Sequence, residues 1–353
     1  MKEPVRLAPA RAWRTYRGGK LIARLHGEEA QDTHFPEEWL LSTVTARNPG
    51  RENIVEGLSE LEGTGETLRD LIARDPEGML GKGRTGTGML MKLIDAAERL
   101  SVQVHPSRED AMRLFQSPFG KTECWHILGG REIDGRKPCI YFGFRENVTR
   151  EKWAELFYRQ DIQGMLDCLH RIDVREGETY LIRGGVPHAI GAGCFLAEIQ
   201  EPTDLTLRTE RVSPTGEKLP DMSCHQGIGF EKMLDCFSYD GCDLDEARRR
   251  WLIPQRTMEE KAGAYRRIAL LTYADTPYFR LEKDVVEGCM PVAPAPQYHG
   301  FYVLSGQGTL RVSGREEKLF AGVQYFVPAD AVPCEIVRGA EPLTILRYEG
   351  PQM

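Results

Sequence analysis

The chain has 353 residues, 41% hydrophobic and 28% charged, which fits one large or two ordinary domains of about 150 residues and is too apolar for a disordered chain. Its net charge of −7 lacks the basic excess of a nucleic-acid-binding protein, and no window approaches the run of about 18 apolar residues that a membrane span needs. The opening MKEP holds no apolar signal region, so a cytoplasmic address is expected. Nine cysteines, odd in number and without a Cys-x-x-Cys pair, read as free and mostly buried thiols, not as disulfides or a four-cysteine zinc site.

Along the chain, Gly18-Gly19 and Asn48-Pro49-Gly50 signal turns. Residues 66–74 have helical spacing. Residues 81–88 (GKGRTGTG) read as a plain loop, because no Gly-Lys-Ser/Thr closes them as a phosphate loop would. The stretch around Lys92 reads as helical. Residues 100–105 alternate apolar and polar, as a strand does, and His105-Pro106 stops them. Ser107 is then an N-cap for a helix over 107–117, with Glu109 and Asp110 in its first turn. Residues 149–171, capped by Thr149, form the strongest helical region. From Val174 onward short apolar runs punctuated by glycine predict strands. Residues 240–267 are a charged interruption, where Arg248-Arg249-Arg250 beside Asp243, Asp245 and Glu246 read as a solvated helix face. Between 298 and 349 six short runs, spaced by about 8–12 residues with Gly or Pro between them, predict a small antiparallel barrel or sandwich.

Two stretches share a frame. In the first, Gly177, five strand residues and Arg183-Gly184-Gly185 lead to Val186-Pro187-His188. In the second, Gly322, five strand residues and Pro328-Ala329-Asp330 lead to Ala331-Val332-Pro333. The frame resembles the second motif of the cupin superfamily. That resemblance implies a mainly β fold of two cupin-type (jelly-roll) barrels with helical insertions: a metal-binding catalytic domain at 1–227 and a degenerate one at 228–353. Proline at 333 has no lone pair to offer a cation, so only the first barrel is expected to hold a metal.

Gln103 and His105, at i and i+2 of a strand, project from one face. Glu123 follows beyond the helix, and His188 follows the turn of the first frame. Two imidazoles, a carboxylate and an amide oxygen make a donor set suited to zinc. The single anionic ligand leaves the ion a net positive charge, and a neutral amide keeps it a strong Lewis acid.

The stretches LSVQVHP (100–106), GKTECW (120–125) and GGVPHAIGAG (184–193), followed by Glu198 and Asp204-Leu205-Thr206-Leu207-Arg208, resemble the type I mannose-6-phosphate isomerases, most of all their short bacterial form. The resemblance implies one zinc ion per chain on Gln103, His105, Glu123 and His188, catalytic residues Arg208, Lys121 and Glu198, and a phosphate end lined by Ser101 and Lys92. It implies interconversion of mannose 6-phosphate and fructose 6-phosphate. The sequence departs from the family at His126, where tyrosine is common, at Thr203, at Leu205 and in FPEEWLLS (35–42), which matches only in part; His126 and Leu205 are expected near the substrate.

For the chemistry, Arg208 presents a permanently charged donor fork to an oxyanion or a phosphate. Lys121 and Lys92 would neutralise a phosphate dianion, and Ser101 would add a hydroxyl donor. Three groups stand as general base: Glu198, a metal-bound water and His126. Two other functions are compatible with a metal-holding barrel: a non-catalytic sugar-phosphate sensor, and an Fe(II) oxygenase, against which Gln103 speaks because such sites use His-x-His and a carboxylate. The expected partner is a small sugar phosphate, with no nucleic acid and no membrane; the oligomeric state is left open.

Overall fold

A computed structural model describes residues 2–352 except Pro49 and Glu52. Met1 of the opening tetrapeptide and Pro49 of the turn expected at 48–50 therefore lie outside the described residues. The molecule is mainly β and consists of two cupin-type barrels, each a sandwich of two antiparallel sheets. The inner sheet of the first barrel runs Arg11–Ala12, Glu37–Leu40, Leu90–Asp95, Cys194–Gln200, Glu123–Gly130, Thr179–Ile182 in hydrogen-bonding order. Its outer sheet runs Leu207–Arg208, Gln103–Val104, His188–Ile190, Cys139–Phe144, Leu169–Asp173.

The second barrel repeats this order. Its inner sheet runs Arg256–Lys261, Tyr265–Leu271, Arg280–Val286, Leu343–Glu349, His299–Ser305, Gln324–Val327, with the N-terminal strand Val5–Leu7 added at the far edge. Its outer sheet is Cys289–Val292, Cys334–Arg338, Gln307–Val312, Arg315–Phe320. All six runs expected between 298 and 349 are strands.

Alternation of side chains sorts the inner strands between two cores. In Leu90–Asp95, Ile94 points into the first barrel with Trp125, Phe142 and Tyr180, while Met91 and Leu93 point out to meet Leu281, Tyr302, Phe326 and Leu346 of the second barrel. The two inner sheets thus pack back to back across an apolar seam. The second barrel has its own interior of Val303, Leu310, Ile336 and Ile345. A helical layer covers the outer sheet of the first barrel, where Trp153, Phe157, Met233 and Phe237 pack on Phe144, Leu169 and Leu207. The helices Phe230–Asp235 and Leu244–Trp251 belong to this first-barrel packing through Met233, Leu234, Ala247 and Trp251.

Several local expectations hold. Residues 68–74 of the stretch with helical spacing are a helix, Ser107 caps Arg108–Phe115 and Thr149 caps Arg150–Arg159 through their side chains, Arg248–Arg250 lie on the helix Leu244–Trp251, and residues 81–88 are loop. All nine cysteines are free, and all but Cys289 are buried. Others change. The segment around Lys92 is a strand, not a helix: it is buried on both faces, so its apolar run carries no clear period. The strand expected over 100–105 shrinks to Gln103–Val104. The helix expected over 149–171 breaks at Gln160, whose left-handed backbone (φ 51) ends Arg150–Arg159. Asp161 then caps a second helix, Ile162–Asp167, and Leu169–Asp173 leaves for the sheet because it pairs with Cys139–Phe144. Among the described residues no helix is long and apolar enough to cross a membrane.

Candidate metal centre

Four side chains of the proposed donor set converge inside the first barrel. Gln103 and His188 are direct cross-strand partners, and Arg208 is Gln103's partner on the other side, so all three share the inward face of the outer sheet. Gly185 has φ +87, a left-handed conformation open to glycine, and its amide donates to the His105 carbonyl at 2.8 Å. This turn delivers His188 beside His105. Glu123 reaches the same point from the inner sheet.

His105 Nδ1 donates to the Leu205 carbonyl at 2.9 Å and His188 Nδ1 to the Val186 carbonyl at 2.8 Å. Each ring therefore carries its proton on Nδ1 and turns the Nε2 lone pair inward. Burial holds both imidazoles below their ordinary pKa, for His105 well below it with Lys121 and His188 adding to the effect, so both are neutral. The two Nε2 atoms are 3.2 Å apart, and Glu123 Oε2 and Oε1 lie 3.2 and 3.3 Å from them. Glu123 is fully buried, and neither of its oxygens has a hydrogen-bond donor.

Three groups offering lone pairs thus face one another at separations that would repel. They match the edge of about 3.3 Å that follows from tetrahedral ligands at roughly 2.0 Å from a common centre. A divalent cation resolves the conflict, so these residues fit a metal ion. Gln103 Nε2 lies 3.2 Å from His188 Nε2, and a half turn of its amide presents the oxygen as fourth donor.

Around this centre lies a buried charged cluster. Lys121 Nζ is 3.2 Å from His105 Nε2 and 3.7 Å from Glu123 Oε2. Lys92 is buried: it donates to Glu198 Oε1 at 3.0 Å and stands 4.0 Å from Glu37. The other Glu198 oxygen accepts from Trp125 Nε1 at 2.9 Å. Glu198 is thus paired with Lys92. Arg208 donates to the Ser223 carbonyl at 3.0 Å, and among the described residues no carboxylate lies within ion-pair distance of it. Burial weakens its hold on its proton, and the Asp204 carboxylate offsets this only in part. Ser101 is half-buried two residues before Gln103, and among the described residues its hydroxyl makes no hydrogen bond to the cluster.

Sequence reasoning missed the far wall. Arg14 Nε pairs with Glu37 at 2.9 Å and its NH2 stands 3.9 Å from Asp204; Tyr16 and Trp39 Nε1 each donate to Glu37 at 2.7 Å. Burial alone would raise the Glu37 carboxyl, but Arg14 and Lys92 bring it down to about 2. Arg14 and Lys92 both lie over the Trp39 ring, at 5.2 and 5.1 Å. The signal was present in FPEEWLLS, where Glu37 and Trp39 share one strand face and Glu38 the other.

His126 corrects an expectation. It alternates with Glu123 and Trp125, so it points away from the centre and into the seam, where Nδ1 lies 2.9 Å from Thr179 Oγ1. It is not available as a base. Leu205 acts through its carbonyl, which fixes the His105 ring.

No family model matches the chain. A Bacillus subtilis protein named probable mannose-6-phosphate isomerase is 27% identical over 247 residues, 68% of this chain and 69% of the relative. The mannose-6-phosphate isomerase of Streptococcus mutans is 24% identical over 312 residues, 88% of each chain. The crystal structure of the mannose 6-phosphate isomerase from Bacillus subtilis superposes with a TM-score of 0.76 at 22% identity, covering 98% of this chain and 99% of that one. In sequence the chain is thus similar to proteins named mannose-6-phosphate isomerase, and it shares its fold with solved mannose 6-phosphate isomerases.

Proposed function

We propose that the chain interconverts mannose 6-phosphate and fructose 6-phosphate in the cytoplasm, with one zinc ion on Gln103, His105, Glu123 and His188. The observation that carries this reading is the buried Glu123 carboxylate, without a donor on either oxygen and facing two inward imidazole lone pairs. The reaction moves a proton between C1 and C2 through an enediol-like state, and negative charge develops on both oxygens. The ion supplies Lewis-acid polarisation of the carbonyl when bound. Arg208, without a carboxylate partner, holds an anionic oxygen of the substrate. Lys121 donates into the same space, and Lys92 and Ser101 face the phosphate end. Glu198 is the base, held between Lys92 and Trp125.

Charge balance supports a phosphorylated sugar. Four cations (Arg14, Lys92, Lys121, Arg208) face four carboxylates (Glu37, Glu123, Glu198, Asp204), so the cluster alone is neutral. A divalent ion leaves it at +2, the complement of a phosphate dianion. A neutral sugar would leave that charge uncompensated.

The test is a coupled assay with mannose 6-phosphate beside metal analysis of purified protein. Zinc with turnover supports the reading. Bound sugar phosphate without turnover would make the chain a sensor, and iron with oxygen consumption would make it an oxygenase. We also propose 1–227 and 228–353 as the catalytic and degenerate units, with 230–251 packed on the former. Limited proteolysis tests this, since release of a fragment that begins near 228 is expected only if that packing is weak.

A further inference from the structure

The two loops that carry the metal-binding histidines are pressed together, and both reach the second barrel. Gly185, three residues before His188, donates its amide to His105, and a Cβ on Gly184 would lie 2.6 Å from Ser107 Cα. Each loop carries an arginine. The Arg108 guanidinium lies over the Tyr278 ring, 3.8 Å from its centre, and Arg183 donates to the Asp275 carbonyl at 3.4 Å. Both contacts fall on the turn at 272–278 of the second barrel. That turn is itself tied, because the Asp275 carboxylate accepts from Thr272 N at 2.9 Å and Thr272 Oγ1 at 2.8 Å.

Arg108 has a second partner. Its Nε donates to Glu201 Oε1 at 2.6 Å, and Glu201 Oε2 accepts the Thr122 amide at 2.9 Å. The strand Cys194–Gln200 has ended there, so a side-chain carboxylate stands where the ladder would offer a carbonyl. Glu201 is fully buried. Thr122 is the residue between Lys121 and Glu123.

We infer that Tyr278, Arg108 and Glu201 form a brace through which the second barrel positions the Lys121–Glu123 edge of the metal centre. The inference rests on the metal-binding reading above. None of the three touches the ion or the substrate; they are positioning residues. Glu201 fixes the backbone at Thr122, Arg108 keeps the buried carboxylate paired, and Tyr278 restrains the guanidinium by a cation–π contact. The second barrel, with proline at its own histidine position, thereby serves the first.

The full chain is tested with zinc and with cobalt(II), by chelator competition and by the visible spectrum of the cobalt form, beside thermal unfolding of the metal-free protein. Arg108→Met is expected to weaken zinc binding about tenfold, as changes to groups behind metal ligands do. Tyr278→Leu should weaken it about threefold, and Tyr278→Phe, which keeps the ring, should restore it. Both weakened variants should alter the cobalt spectrum. Glu201→Ala can unfold this edge, so half-buried Tyr278 carries the decision. Parent affinity and parent spectrum in both Arg108→Met and Tyr278→Leu would overturn the brace alone. A parent chain that bound neither metal would overturn the metal reading together with it.

Discussion

The two barrels share strand order but not chemistry. Across the inner sheet of the first runs the row Trp39, Lys92, Glu198, Trp125, Tyr180. In the same places the second carries Ala269, Glu282, Arg347, Phe301, Tyr325. The central ion pair is reversed in sign. Glu123, two residues before Trp125, corresponds to His299, two before Phe301, and His188 corresponds to Pro333. Even the turn is kept: Gly185 at φ +87 is matched by Asp330 at φ +50. The backbone frame thus tolerates exchange at the positions of Lys92, Glu198, Glu123 and His188, because hydrogen bonds of the ladder and apolar alternation hold it. What separates a metal centre from a filler is whether charges are left for a ligand. In the second barrel they satisfy one another: Arg267 pairs with Asp284 at 2.7 Å and Arg347 with Glu349 at 3.1 Å. In the first, among the described residues, Glu123 accepts no hydrogen bond and Arg208 has no carboxylate within ion-pair distance.

Substitution at matched positions sharpens this contrast. His105→Ala should remove bound metal and activity together, whereas His299→Ala in the second barrel should leave metal content at the parent value; metal loss in both would erase the distinction. Arg208→Ala should keep the metal and lower kcat by about a thousandfold, in line with removal of a buried oxyanion donor. Isomerisation at the parent rate would remove Arg208 from the mechanism. Glu123→Gln takes away the only anionic ligand and should weaken zinc binding by about 10- to 100-fold, read by chelator competition.

The seam between the barrels gives the smallest effect, through pH. Burial holds His126 at about 3, against an ordinary 6.5. Below pH 6.5 the unfolded chain takes up a proton that the native chain refuses, so stability falls as pH drops from 6.5 toward 3. Glu37, at about 2, adds a loss that begins as pH falls through the ordinary carboxylate range near 4.5. Denaturant unfolding from pH 7 to 3 should show a decline on the order of a few kcal/mol, and His126→Gln should flatten its upper part. An unchanged slope in that variant would place the acid sensitivity elsewhere.

Caps, turns and single strands were legible because they depend on neighbours in the chain. Ser107 and Thr149 announce their helices, and the glycine-spaced runs after 298 announce their strands. Lys92 was misplaced because a strand buried on both faces has no period to read. His126 was misjudged for a related reason: nearness in sequence to Glu123 says nothing about which face a strand residue takes until the register is known. Arg14, Tyr16 and Glu37 were missed because the partners that tie them to the site, Lys92 and Asp204, lie more than fifty residues further along the chain.

The sequence by itself offered the candidate donors, their order along the chain and proline at 333, since residue chemistry and local spacing carry those. Only the tertiary structure decided which lone pairs face one another, which cation stands without a counter-ion and which barrel supports the other. Those properties arise from distances between strands far apart in the chain and from removal of water, and neither is written in any local pattern.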